Sequence, residues 1–150
     1  MGPERRTWLD RAEWGIRAVH EILRNGNLGD PYVPSMTHLE DRIRDFGYGS
    51  PDAKVVNYWT DAVDRDANNL PTVRLDDPNL LYLGIWRPGD GRLLAVVYNS
   101  AETTVESGIS VIPPGGGAAR TSARDIEAGG AATARWSWPG WSVRLLEVDP

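Results

Sequence analysis

Two apolar runs, Leu80–Arg87 and Arg92–Asn99, constrain this chain more than any other feature. They are joined by Pro88-Gly89-Asp90-Gly91, a segment made of turn-forming residues. The pattern predicts a β-hairpin in which both faces are apolar. A strand alternates its side chains, so one face must line a core. The other face then needs a cover, from elsewhere in the chain or from a partner.

Flanking residues extend the pattern. Thr72–Leu75 reads as a short strand, and Thr103–Val111 alternates with Val105, Ile109 and Val111 on one side. Ala119–Asp125 and Ala131–Trp138, split by Gly129-Gly130, read as weaker strands, and Trp141–Val148 closes the series. Short strands at regular spacing predict an antiparallel β-sandwich of immunoglobulin-like kind.

The first third of the chain has a different period. Glu4–Arg24 places Leu9, Ala12, Ile16, Val19 and Leu23 on one helix face, with Asn25-Gly26-Asn27 as the stop. Thr37 and Glu40 form a capping-box pattern ahead of a second helix, His38–Phe46, that stops at Gly47. Ser50-Pro51-Asp52 predicts a third helix start, leading into Val55, Val56, Tyr58 and Trp59. Asp64–Pro71 reads as a polar linker. The expected class is therefore α+β: a helical segment over 1–66, packing on the sandwich or a partner, and a sandwich over 72–150.

Composition narrows the function classes. A length of 150 residues suits one ordinary domain, or a small one with an appendage. The net charge of −5 argues against a nucleic-acid partner, which usually meets a basic face. No cysteine is present, so disulfides and thiolate sites are excluded. No apolar run is long enough for a membrane span, and the N-terminus lacks the apolar core of a signal peptide. The expectation is a cytoplasmic protein that neither enters membranes nor binds nucleic acid.

No self-sufficient catalytic motif stands in the sequence. His20-Glu21 begins like a zinc-protease helix, but Arg24 occupies the position of the second histidine, and His38 has no ligand spacing to His20. No metal and no cofactor is expected. Gly115-Gly116-Gly117 lacks the lysine of a phosphate loop. Serines lack the glycines of a nucleophile elbow. Carboxylates are plentiful, and Glu21 is the strongest acid candidate, with His20 beside it. Asp76-Asp77-Pro78-Asn79 reads as a turn. No catalytic residue is assigned.

The seven tryptophans are the better lead. Trp136 and Trp138 share one side of a strand, and Trp141 follows Pro139-Gly140. Such indoles either stack on sugar rings or fill a buried interface, and aromatic dominance of buried interfaces favours the second use. Tyr82, Trp86 and Tyr98 of the hairpin, with Tyr58 and Trp59, form the expected docking face.

Three segments in order carry a family resemblance. They are Glu13-Trp14-Gly15-Ile16-Arg17-Ala18-Val19-His20-Glu21-Ile22, then Phe46-Gly47-Tyr48-Gly49 with Val56-Asn57-Tyr58-Trp59, then the strands from Val73 onward. The last part includes Val73-Arg74-Leu75-Asp76-Asp77-Pro78-Asn79, Leu93-Leu94-Ala95-Val96-Val97-Tyr98-Asn99, Ala123-Arg124-Asp125 and Val143-Arg144-Leu145-Leu146. Together, over roughly residues 8–148, they resemble the C-terminal region, last barrel helices plus a glycosidase C-terminal-domain-like β-sandwich, of glycoside-hydrolase-like proteins in which a (β/α)-barrel precedes the sandwich. A barrel needs about 200 residues or more, which this chain lacks, so no catalytic acid of that family has a matching position. The resemblance implies a non-catalytic accessory region that stabilises or completes a carbohydrate-active barrel. Its expected partner is a catalytic barrel subunit, or a second copy of itself through the Leu9–Leu23 stripe, with carbohydrate as a further ligand. Two other readings compete: a free-standing carbohydrate-binding module using Trp136, Trp138 and Trp141, and a small hydrolase with a carboxylate site between helices and sandwich.

Overall fold

A computed structural model describes residues 2–21 and 33–150. The order of elements is α1 (Pro3–Val19), α2 (Val33–Phe46), β1 (Lys54–Asn57), α3 (Ala62–Ala67), β2 (Thr72–Leu75), β3 (Leu80–Arg87), β4 (Arg92–Asn99), β5 (Val105–Ile112), β6 (Arg124–Asp125), β7 (Arg135–Trp138) and β8 (Val143–Val148). The class is α+β, with every strand pairing antiparallel. One sheet has the order β1-β3-β4-β8-β6, the other β2-β5-β7.

The hairpin β3–β4 forms in the expected register, from Leu80 opposite Asn99 to Arg87 opposite Arg92. Its turn closes through a hydrogen bond from Gly91 N to Arg87 O of 2.8 Å, with Gly91 at φ 69°. Asp90 accepts from Arg92 N and pairs with Arg87. Position in the sheet explains the doubly apolar pattern. One face, with Leu80, Tyr82, Trp86, Leu93, Ala95 and Val97, is buried against Val73, Val105, Ile109, Val111 and Trp138 of the second sheet. The other, with Leu83, Ile85, Leu94, Val96 and Tyr98, packs against Trp14, Ala18 and Val19 of α1 and Met36, Leu39, Ile43 and Phe46 of α2. The result is three layers: helices, five strands, three strands. Each large apolar side chain so buried contributes about 1.5–3 kcal/mol. The chain's own helices are therefore the cover the hairpin demands.

Glycines set the spacing of these layers. A Cβ on Gly15 would lie 2.7 Å from Tyr98 Cδ2, so α1 approaches β4 as closely as it does because no side chain intervenes. Beneath the sandwich, the buried Asn99 donates Nδ2–H to the carbonyls of Thr103, Trp138 and Pro139 and accepts from Ala101 N, tying β4 to the loops around β5 and β7. Charged groups tie the helices to the strands. Arg11 donates to both oxygens of Glu127 and to Val143 O, while His38 Nε2 donates to Glu127 across 2.8 Å. Burial acts to raise the Glu127 carboxyl. The hydrogen bonds and charges of Arg11 and His38 outweigh it and hold this group below the ordinary carboxylate range.

Four local expectations are corrected. Residues 54–57 form strand β1 on β3, not a helix, because Val56 is needed to cover Gly84, whose missing side chain leaves room for it. The expected linker contains α3, capped by Asp61, whose side chain accepts from Asp64 N at 2.8 Å. Helix α2 begins at Val33, which puts Thr37 inside it rather than at its cap. Glu40 is buried, accepts weakly from Trp14 Nε1 at 3.4 Å and pairs with Arg44, so it reaches across to α1 instead of back to a cap. Finally, α1 ends at Val19, and the face it buries is Trp14-Ala18-Val19. Leu9 and Ile16, expected to be core, are exposed. Leu23 and the Asn25-Gly26-Asn27 stop lie outside the described residues. No helix among those described is long and apolar enough to cross a membrane.

Candidate functional site

The residues singled out by sequence separate into three places. Trp138 is fully buried in the inter-sheet core, and Trp136 is partly buried beside it with Arg144 over its ring at 5.5 Å. Both indole N–H groups are sealed from solvent without a hydrogen-bond partner. Trp141, at φ 57°, lies on the helix side of the five-stranded sheet, its ring 5.4 Å from that of Trp8. These three indoles do not form one exposed platform, because the turn between Trp138 and Trp141 carries the chain from the inner core to the helix layer. That turn depends on Gly140, where a Cβ would run into the Glu102 carbonyl.

Tyr82, Trp86 and Tyr98 do not share a face. Tyr82 and Trp86 point into the inter-sheet core, and Tyr98 into the helix layer. Burial pushes both phenols up, against a smaller opposing effect of Arg65 at Tyr82. None of the three is available on the surface as a docking side chain.

Tyr58 and Trp59 remain outside, at 37% and 49% exposure. They occupy the tip of a tight turn that follows edge strand β1. Thr60 N donates to Asn57 O at 3.0 Å, and Asn57 N donates to Thr60 Oγ1 at 2.8 Å. Tyr58 N donates to Tyr82 O, so the turn is fixed to β3. The C-terminus of α1 faces this turn. His20 stacks on Trp59 with ring centroids 5.9 Å apart and planes 20° apart. Tyr58 stands edge-on to both, at 86° to His20 and 85° to Trp59.

Hydrogen bonds determine the histidine's proton. His20 Nδ1 lies 2.7 Å from Ile16 O, and a carbonyl can only accept, so Nδ1 carries a hydrogen. In the neutral ring Nε2 is then an acceptor, and the Tyr58 hydroxyl donates to it across 2.7 Å. Glu21 follows at φ 58°, in the left-handed position just past a helix end where glycine is usual. A side chain there costs about 1–2 kcal/mol. The carboxylate so held accepts from Asn57 Nδ2 at 2.9 Å and from the Tyr48 hydroxyl at 3.3 Å. Burial, and then the charge and hydrogen bond of Glu21, raise the Tyr48 phenol, with Arg44 opposing. Asn57 is itself buried, and its Oδ1 has no partner.

The structure thus brings together Glu21, the sequence's acid candidate, and its neighbour His20 with Tyr58 and Trp59 from the docking set. It adds Tyr48 and Asn57. Two β-branched residues, Val55-Val56, followed by Asn57 and the Thr60-Asp61 cap, are the signal of a strand and turn that could have located this cluster. Among the described residues no group of three histidine or carboxylate side chains is placed to hold a metal.

No protein-family model matches the chain, and no curated protein does. A solved structure that resembles it is that of apo exo-carrageenase GH42 from Bacteroides ovatus, at 13% identity and a TM-score of 0.37. The match covers 81% of this chain and 14% of that one. The chain therefore spans a small part of that enzyme's length, and a likeness at this level bears on neither site nor activity.

Proposed function

We propose that this chain is a non-catalytic accessory region of a carbohydrate-active assembly, stabilising or completing a glycoside-hydrolase-like barrel. The distribution of exposed apolar side chains supports this reading. Among the described residues the large ones are Trp8, Leu9, Ile16, Tyr58, Trp59 and Val63, all in the first 63 residues. The sandwich strands bury theirs. In this reading residues 72–150 are scaffold, and residues 1–66 present the contact surface. The resemblance in the sequence points the same way, since a barrel would precede these helices in the chain.

Sedimentation velocity of the chain alone and mixed with a barrel-only glycoside hydrolase tests the proposal. A mixed complex that weakens with Ile16→Glu and Trp59→Glu is expected. Exclusive self-association, or two species sedimenting independently, would contradict it.

A further inference from the structure

We infer that the turn at Tyr58-Trp59, with the end of α1, is a binding subsite for one ring of a neutral pyranoside. The assignment deepens the proposed function, on which the choice of a sugar rests. A pyranose offers a flat C–H face and an edge of hydroxyls. Half-exposed Trp59 offers a flat apolar surface, already backed on one side by His20. Tyr58 stands upright against it as a wall, with its hydroxyl oriented by His20 Nε2. Because Tyr58 spends its proton on His20, its oxygen keeps lone pairs for a sugar hydroxyl.

The acceptors beside the platform define the class. A carboxylate offers about four lone-pair directions, and Asn57 and Tyr48 occupy two at Glu21. Glu21 is exposed, so its remaining lone pairs can accept from donors such as sugar hydroxyls. Asn57, itself buried, anchors that carboxylate through its Nδ2 and takes no part in contact with the ligand. Sulfate and uronate groups bring only negative charge and acceptors, so Glu21 repels them. The site is also built before any ligand arrives: the turn is closed by two hydrogen bonds, and Glu21 is held in a left-handed backbone that glycine would occupy more easily.

The test is the ¹H–¹⁵N spectrum of the tryptophan indoles in the isolated chain, titrated with neutral, sulfated and uronic oligosaccharides. Neutral oligosaccharides should move the Trp59 indole, with a dissociation constant near 1 mM at the weak end. Trp59→Ala should weaken binding at least about tenfold, with the melting temperature unchanged. Glu21→Gln keeps the shape and removes the charge, so it should admit sulfated oligosaccharides that the parent chain rejects. Glu106→Gln, on the far sheet, should change nothing. The idea is overturned if no neutral oligosaccharide moves the Trp59 indole up to roughly 10 mM, a concentration that would saturate such a site. It is equally overturned if choline moves that indole and sugars do not, which would make the rings a cation cage. No barrel enters these titrations, so failure of docking and failure of this subsite read out separately.

Discussion

Trp138 shows how a single residue separates what its type suggests from what its place permits. Its indole is wholly enclosed between the sheets, so its removal is a packing event rather than the loss of a ligand contact. Trp138→Ala should destabilise the chain by about 3–5 kcal/mol, read as a shift in the urea midpoint. A variant of unchanged stability would mean that this indole lies outside the core. Trp59, which a composition count treats identically, is half exposed and free of that constraint. Sequence could not distinguish the two. The alternation around Trp136-Ser137-Trp138 was legible, but which sheet would cover that side depends on pairing with β5, a partner some thirty residues away.

Among the elements, those governed by neighbouring residues were legible and those governed by distant ones were not. The β3–β4 hairpin, with its turn chemistry and doubly apolar strands, was readable because both determinants are local. Strand β1 was not: proline and acid at 51–52 look like a helix start, and only the empty space over Gly84 makes Val56 worth pairing. The buried face of α1 was misplaced because its tightest contact is made by a glycine. Gly15→Ala should improve helix propensity by about 1 kcal/mol, yet the added Cβ meets the Tyr98 ring. Overpacking of this kind costs about 1–3 kcal/mol, so chemical denaturation should show no gain and most simply a net loss. The clasp from α1 and α2 onto Glu127 gives a pH signature. Its native carboxyl is held below the ordinary value of 4.5, so its contribution is present above that pH and fades as pH falls through the lowered native value. Glu127→Gln should therefore be less stable than the parent at pH 7, and the gap between their urea midpoints should be smaller at pH 3 than at pH 7. An equal gap at both would show that the charge on Glu127 does not matter.

For the whole molecule, the decisive relation is between its two covers. The three-stranded sheet closes one face of the five-stranded sheet, and α1 with α2 closes the other. Both apolar faces of the hairpin are thus covered within the chain. The surface available to others lies along α1 and the turn after β1, which is why the docking and sugar proposals both settle on the first 63 residues. Hydrogen exchange on the isolated chain tests this directly. If the chain closes its own sandwich, the β4 amides, flanked by β3 and β8 and sandwiched between helices and second sheet, should exchange only on global unfolding. Their exchange should slow no further when a barrel protein is added. Rapid exchange along β4 in the chain alone, suppressed by a partner, would contradict the account: the hairpin's second face would then belong to the assembly and not to the chain's own helices.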